Sequence, residues 1–153
     1  MIVKRAYKYR IYPNREQRNF FARTFGCVRL FYNTSLDDMN KLYKEKKEYK
    51  DITPASYKER FPFFKDVDSL ALSNAQLNRN QAFKAFFRNQ NKFPKYKAKR
   101  NKQSYSTNNQ NGTVYISEDC KYISLPKIKN IRIKMHRKFN GVITTVTVSK
   151  ECD

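Results

Sequence analysis

A polar stripe along one predicted helix carries side chains of the kinds that contact nucleic acids. Its members recur at steps of four, three, four, four and four residues: Ser69, Ser73, Gln76, Asn80, Lys84 and Arg88. Such spacing places side chains on one helix face. Hydroxyl and amide groups can hydrogen-bond base edges, while lysine and arginine hold phosphates alongside. The stripe therefore predicts a nucleic-acid contact surface, although an ordinary solvated helix face has the same pattern.

Positive charge is concentrated in the segment that begins on this helix. Residues 73–111 contain nine lysine or arginine residues and no acidic residue, and the whole 153-residue chain carries 33 basic and 13 acidic side chains, a formal charge of +20. A polyanion relieves the repulsion among such charges, so nucleic acid is the favoured partner and an acidic membrane surface the alternative. Phe93, Tyr96 and Tyr105 are predicted to stack on unpaired bases, with packing into the core as the alternative for Phe93 and Tyr96. The predicted phosphate contacts here are Lys95, Lys97, Lys99, Arg100 and Lys102.

Further cations occur in two predicted strands. Residues 2–12 alternate in the period-two pattern of a strand and end at Pro13. The candidates for phosphate contact are Lys4, Arg5, Lys8 and Arg10 in this strand, His136 at the end of a second predicted strand over residues 131–136, and Arg137 directly after it.

No catalytic constellation is visible. The single histidine has no identifiable carboxylate or cysteine partner, the acidic residues are scattered, and three glycines cannot build a phosphate-binding loop. Cys27, Cys120 and Cys152 are far apart and form no Cys-x-x-Cys pair. We predict no catalytic residue, metal site or cofactor in this chain. The absence of a long apolar segment and of a signal-peptide core predicts a cytoplasmic protein.

Helices are predicted over residues 14–94. Asn14 is a predicted N-cap with Gln17 at the capping-box position, and a break at Gly26 would divide two helices. This pair permits a helix-turn-helix interpretation, in which Arg29 and Asn33 would enter a DNA groove. Two further helices are expected. Thr53 would cap a short helix that begins at Pro54, and Asp68 would cap a helix over residues 69–89.

Strands are predicted at both ends of the chain. In addition to residues 2–12, they cover residues 113–117, 122–125, 131–136 and 142–149, with a hairpin around residues 118–121. The predicted fold class is α+β, a single β-barrel interrupted by a helical insertion.

Six segments in register carry a resemblance to a known family. They are KYRIYPNREQ with FGCVRLFYN, ALSNAQLNRNQAFKAFFR, FPKYKAKR, SYST, ISLPKI and IKMHRKFNGVITTVTVSKE. In this order they resemble the N-terminal half of the TnpB/OrfB proteins. These are transposon-encoded RNA-guided DNA endonucleases related to compact type V CRISPR effectors.

The resemblance implies a wedge-type β-barrel from residues 1–13 and 95–153, and a helical recognition insertion from residues 14–94. It implies a bacterial or archaeal host, and guide RNA and double-stranded target DNA as partners. By analogy, the base-edge readers are Thr53, Ser56, Ser69, Leu70, Ser73, Gln110 and Asn111. At these positions the residues are smaller and less basic than in the family member compared. The chain is therefore expected to recognise a different DNA motif.

The resemblance also implies a RuvC-like nuclease with metal-binding carboxylates and a zinc ribbon, which would follow this chain. Divalent metal and zinc would bind there, so this chain alone is expected not to cleave DNA. Two other hypotheses remain open, a stand-alone helix-turn-helix accessory or regulator of transposition and a remnant without a task.

Overall fold

The computed structural model describes residues 1–46 and 48–151, which form an α+β fold of helices and two antiparallel sheets. The elements follow in the order β1 (Arg10–Tyr12), α1 (Arg15–Lys46), a 3-10 turn (Pro54–Tyr57), a second 3-10 turn (Pro62–Asp66), α2 (Ser69–Phe87), β2 (Ser104–Asn108), β3 (Tyr115–Ile116), β4 (Tyr122–Leu125), β5 (Ile128–Lys134) and β6 (Thr145–Ser149).

Helix α1 begins at the predicted capping box. Asn14 Oδ1 accepts from the Gln17 backbone N–H at 2.8 Å, and Gln17 Oε1 accepts from the Asn14 N–H at 2.9 Å. The Gln17 amide also donates to the carbonyls of Lys129 and Asn130, so the cap ties α1 to β5.

The predicted break at Gly26 is wrong, because α1 runs unbroken through it. Its buried stripe stays in helical phase on both sides of the glycine, from Phe21 and Phe25 to Val28 and Phe31. One glycine inside a helix costs only about 1 kcal/mol, which this continuous apolar face outweighs.

The first 3-10 turn and α2 begin at the predicted residues, but they differ in their caps. Thr53 precedes Pro54 without a side-chain cap bond, and the element is a short 3-10 turn. Asp68 Oδ1 accepts from the Leu70 N–H at 2.9 Å, which confirms the cap of α2. The helix ends at Phe87, two residues before the predicted end.

The larger sheet has the strand order β1–β5–β4–β3. The prediction of a strand over residues 2–12 is wrong except for its last three residues, because only Arg10–Tyr12 pairs with β5. The other edge confirms the predicted hairpin, in which β3 pairs with β4 around residues 118–121. Strand β4 has its predicted bounds, and β3 is shorter than predicted. Strand β5 begins three residues before its predicted start and ends two residues before its predicted end.

The smaller sheet pairs β2 with β6 along five residues of each strand. Residues 104–108 were not predicted as a strand, and β6 begins three residues later than predicted. The described strands therefore form two open sheets and not the single closed barrel that was predicted. The reason is pairing, because β6 hydrogen-bonds to β2 and not to the larger sheet.

One hydrophobic core joins the helices to both sheets. It contains Phe21 and Phe31 of α1, Leu72 of α2, Tyr105 of β2 and Ile131 of β5. A second, smaller core lies farther along the two helices and consists of Tyr32, Leu36, Met39 and Phe83. Both predicted regions, helical and strand-rich, thus contribute to the main core.

Candidate nucleic-acid interface

The polar face of α2 is open at its two ends. Ser69 and Ser73 are exposed at the start, where Ser73 Oγ donates to the Ser69 carbonyl at 3.2 Å. Leu70 is half-buried beside them, and Lys84 and Arg88 are exposed at the other end. The face thus begins with small polar groups and ends with cations, as the sequence predicts.

The middle of the same face is bound to a loop. Asp51 Oδ1 accepts from Gln76 Nε2 at 3.1 Å, and Asp51 Oδ2 accepts from Asn80 Nδ2 at 3.1 Å. Either amide would have to give up this carboxylate in order to read a base. Gln76 and Asn80 therefore position the loop before the first 3-10 turn in this structure.

The same carboxylate binds an arginine that sequence reasoning missed. The Arg79 side chain is fully buried, and its Nη2 lies 2.5 Å from Asp51 Oδ1 while Nη1 donates to the Ile52 carbonyl at 2.9 Å. Its guanidinium lies 5.6 Å from the Phe31 ring centroid. The available signal was its spacing from Leu72, since Arg79 occupies a position on the apolar side of α2.

The basic segment between α2 and β2 is docked on α1 through its backbone. We call residues 95–102 the basic arm. Asn33 Nδ2 donates to the Lys97 carbonyl at 2.8 Å, and the Lys97 N–H donates to Asn33 Oδ1 at 2.7 Å. The Tyr96 hydroxyl donates to Asp37 Oδ1 at 3.0 Å. The arm's predicted nucleic-acid contacts all remain exposed residues: Lys95, Tyr96, Lys97, Lys99, Arg100 and Lys102.

Two of the arm's cations have partners within the chain. The Lys97 ammonium lies 4.5 Å from the Tyr32 ring centroid, and although the residue as a whole is exposed, loss of hydration there lowers its pKa. Lys102 lies 3.6 Å from Glu151, an exposed contact of little energetic weight. The outer cations Lys99 and Arg100 project from a turn of the arm.

The predicted groove residues of α1 are both packed against other parts of the chain. Asn33 holds the arm, as described above. Arg29 lines a pocket of about 520 Å³ between α1 and the second 3-10 turn, where Phe63 and Asp66 form the other wall. Its Nη1 is buried there without a hydrogen-bond partner among the described residues.

The N-terminal segment and the end of β5 meet in a basic and aromatic cluster. The Tyr9 hydroxyl donates to the Arg137 carbonyl, and the His136 ring lies 5.2 Å from the Tyr9 ring. The Arg137 guanidinium lies 5.7 Å from the Tyr7 ring centroid. His136 and Arg137 are exposed and lie beyond β5, so the predicted strand position of His136 is wrong.

The remaining N-terminal cations are also exposed. Lys4 and Arg5 precede the cluster, Lys8 Nζ lies 2.5 Å from Glu151, and the Arg10 guanidinium lies 5.4 Å from the Tyr12 ring centroid.

Tyr105 cannot stack on a base in this structure. Only 3% of the residue is exposed, and its ring lies 5.7 Å from the Phe25 ring in the main core. Burial, with a smaller effect of the Asp68 charge, raises the pKa of its hydroxyl, which has no hydrogen-bond partner among the described residues. The predicted stacking role is wrong because β2 turns this side chain inward.

The other predicted base readers lie in exposed turns. Ser56 Oγ donates to the Thr53 carbonyl at 2.6 Å. Gln110 and Asn111 precede Gly112 in the turn after β2, and Asn111 has a φ of 54°. All four side chains belong to exposed residues.

Within residues 1–46 and 48–151, no group of three or more His, Cys, Asp or Glu side chains is arranged to hold a metal ion. Neither described helix combines the length and the apolarity needed to cross a membrane. Cys152 and Asp153 lie outside the described residues.

Comparison with known proteins gives three matches. A helix-turn-helix domain of the OrfB IS605 type matches residues 1–48, a region that here contains the one unbroken helix α1. A Streptomyces pristinaespiralis protein named "Putative RNA-guided DNA endonuclease" is 30% identical over 156 residues, which cover 97% of this chain and 39% of that protein. "Putative RNA-guided DNA endonuclease InsQ" of Escherichia coli (strain K12) is 26% identical over 160 residues, covering 96% and 38%. The chain thus spans about two-fifths of the length of these relatives.

Proposed function

Because this chain is a member of the OrfB/TnpB family, we propose that it is the nucleic-acid-binding part of an RNA-guided DNA endonuclease. In this role it holds the guide RNA and the short duplex motif beside the DNA target. The nuclease chemistry, with its divalent metal and zinc, belongs to the part of such a protein that follows. We further assign residues 1–13 and 95–153 to a wedge-type region and residues 14–94 to a recognition insertion.

The observation that carries this proposal is the docking of the basic arm. Its attachment to α1 uses the Lys97 backbone, so the cationic side chains of Lys95, Lys99 and Arg100 remain exposed. A fixed backbone with outward-facing cations suits a phosphate chain, because less side-chain and loop ordering is needed on binding. The absence of acidic residues from 69 to 117 avoids repulsion of that phosphate chain.

The arm lies between two other groups of candidate contacts. Its chain connects the basic end of α2, with Lys84 and Arg88, to β2, beyond which Gln110 and Asn111 form an exposed turn. Ser69 and Ser73 supply the small polar groups of α2 for base edges. The proposed division of labour is therefore phosphate contact by the arm and base contact by the α2 start and the 110–111 turn.

A gel-shift titration tests the proposal. The chain is mixed with RNA transcribed from the end of its own transposon, and with a shuffled RNA of equal length and base composition. We expect tighter binding of the transposon RNA at physiological salt. Equal affinity for the two RNAs would contradict guide recognition, because phosphate contact alone does not select a sequence.

A duplex titration tests the motif reader separately. Ser73→Ala and Gln110→Ala should reduce the preference among duplex sequences, by about 1–3 kcal/mol for each lost base contact. The stand-alone helix-turn-helix hypothesis requires instead that Arg29 and Asn33 determine duplex binding. It has less support, because Asn33 is engaged by the arm and α1 does not turn at Gly26.

A further inference from the structure

A group of neighbouring aromatic rings, three of them exposed and one half-buried, lies where the C-terminal end of α2 meets the loop after α1. We call Tyr49, Phe86, Phe87 and Phe93 the aromatic platform. Tyr49 is 53% exposed, Phe87 55% and Phe93 41%. The ring centroids of Tyr49 and Phe87 are 6.2 Å apart, those of Phe86 and Phe87 5.5 Å, and those of Phe86 and Phe93 5.3 Å.

The platform rests on the second core but is not part of it. Phe83 is 5% exposed and packs with Tyr32, Leu36 and Met39 below. Its ring contacts three platform rings, those of Tyr49 at 6.1 Å, Phe87 at 6.2 Å and Phe93 at 5.7 Å. The platform rings are therefore held in place from beneath, while about half of the surface of three of them faces solvent. Adjacent exposed apolar groups of this kind mark binding sites.

Cations border the platform. Lys84 lies one helical turn before Phe87, so the two side chains are neighbours on the helix surface. Arg88 follows Phe87 directly as the C-cap residue of α2. Lys92 precedes Phe93, and Lys50 follows Tyr49; all four cations are exposed.

Two acidic residues lie near Tyr49. Asp51 is committed to the buried Arg79, and Glu48 is exposed. The border as a whole is cationic. An anionic partner is therefore favoured over a partner protein whose surface has few acidic residues.

We propose that the aromatic platform binds unpaired nucleotides, whose bases stack on Phe87 and Phe93 while Lys84, Arg88 and Lys92 contact the phosphates. This inference rests on the proposed function, and adds to it a site for single strands. Every base has a π-face, so stacking on a protein ring requires only that the base is free of its own duplex stack. Paired bases have no such free face, so the platform distinguishes single strands from duplex.

The test measures the affinity of the chain for single-stranded and paired probes of equal length. The probes are oligouridylate and oligothymidylate of about 10 nucleotides, within the usual site sizes, and a blunt RNA hairpin closed by a non-nucleotide linker, so that all of its bases are paired. Phe87→Ala and Phe93→Ala should each weaken oligouridylate binding by about 5-fold or more, with little effect on the hairpin. The salt dependence should keep its slope, because no phosphate contact is removed. The oligothymidylate arm shows whether RNA, DNA or both occupy the platform.

Two further variants separate stacking from packing. Phe87→Trp should retain or increase the affinity, whereas Phe87→Leu, which keeps an apolar side chain, should lose it. Leu77→Ala is the matched control, since Leu77 is 58% exposed on the same helix and lies about 15 Å along its axis from Phe87.

Three outcomes would overturn the inference. The first is full affinity of Phe87→Leu for oligouridylate. The second is an equal loss of affinity for oligouridylate and for the hairpin in Phe87→Ala or Phe93→Ala. The third is unchanged nucleic-acid binding of these variants with loss of self-association in sedimentation, which would assign the platform to a protein contact. The platform variants should still prefer the transposon RNA over the shuffled RNA. If the platform substitutions do not weaken oligouridylate binding while the preference for transposon RNA is intact, this inference alone is rejected. If the unmodified chain shows no preference for transposon RNA, the proposed function is rejected.

Discussion

The side-chain amide of Asn33 hydrogen-bonds both backbone groups of Lys97, which lies 64 positions later in the chain. Its Nδ2 donates to the Lys97 carbonyl at 2.8 Å, and its Oδ1 accepts from the Lys97 N–H at 2.7 Å. The amide thereby acts as a strand-like partner for one residue of the basic arm. It fixes the arm on α1 without consuming any of the arm's charges.

Asn33→Ala should release the arm. Loss of two hydrogen bonds, each of about 0.5–1.5 kcal/mol, should speed amide exchange at Lys97 and weaken RNA binding several-fold, because the arm must then be ordered on binding. The salt slope of binding should stay the same, since every cation remains. Hydrogen exchange read out by NMR measures the first effect. Asn40→Ala, two turns farther along α1, is the control, and unchanged exchange at Lys97 would contradict the proposed anchor.

Acidification should loosen the contact between Tyr96 and α1. Hydrogen bonds from Lys41 and then from Tyr96 hold the pKa of the Asp37 carboxyl below its ordinary value. A lowered pKa means that the contact is fully present above the ordinary aspartate pKa of about 3.9 and is lost as the pH falls through the lowered value. The Tyr96 ring resonances should therefore titrate below pH 3.9 in the unmodified chain and lose this transition in Asp37→Asn. The resonances of Tyr43, equally exposed on α1, serve as reference.

Asp51→Ala should destabilise the fold although Asp51 itself is half exposed. The variant leaves the buried Arg79 guanidinium with fewer partners, a loss of about 1–3 kcal/mol in the free energy of unfolding. Combining it with Arg79→Met should cost less than the sum of the single changes, because the two side chains interact directly. Urea unfolding measures both. In contrast, Glu151→Gln breaks only exposed ion pairs and should leave the free energy of unfolding almost unchanged.

Tyr105→Phe should leave both stability and nucleic-acid binding unchanged, because the buried hydroxyl has no partner to lose among the described residues. Tyr105→Ala should lower the free energy of unfolding by about 3–5 kcal/mol through the cavity that it leaves in the main core. Thermal unfolding measures the change in stability. An RNA titration at a temperature where each variant is fully folded measures the change in binding. A Tyr105→Leu protein that folds normally but loses RNA affinity would restore the stacking role that burial excludes.

Neutralising the arm should reduce the salt dependence of RNA binding. Lys99→Gln and Arg100→Gln should each lower the slope of log affinity against log salt by about one unit, the value for one phosphate contact. Lys97→Gln should lower it less, because the Lys97 ammonium lies over the Tyr32 ring. Titrations at several salt concentrations measure the slopes. Equal slopes for Lys99→Gln and the unmodified chain would place the phosphate contact elsewhere.

Local signals predicted those parts of the fold whose partners are a few residues apart. The Asn14–Gln17 capping box and the Asp68 cap both form as expected, since each joins groups two or three positions apart. The apolar stripe of α1 was also correct, but its interruption at Gly26 was not. A glycine signals a possible break, and only the packing of the stripe on both sides decides whether the helix continues.

The candidate site was less predictable, because its residues acquire their roles from distant partners. Asp51 engages Gln76 and Asn80 across a loop. No periodicity marks such a contact. Similarly, the short polar sequence of β2 carries no strong strand signal, and its inward-facing Tyr105 becomes a core residue by packing against Phe21 and Phe25 of α1.

By itself, the sequence determined the excess of positive charge, the acid-free segment that contains the arm, the two capped helix starts and the family of the chain. These depend on composition, on neighbours within a helical turn, or on the order of motifs. Tertiary structure alone decided which polar and aromatic side chains remain available. A side chain that reads or stacks on a base must be exposed and free of other hydrogen bonds. Whether it is free depends on partners that are distant in the chain and adjacent in the fold, as Lys97 is for Asn33.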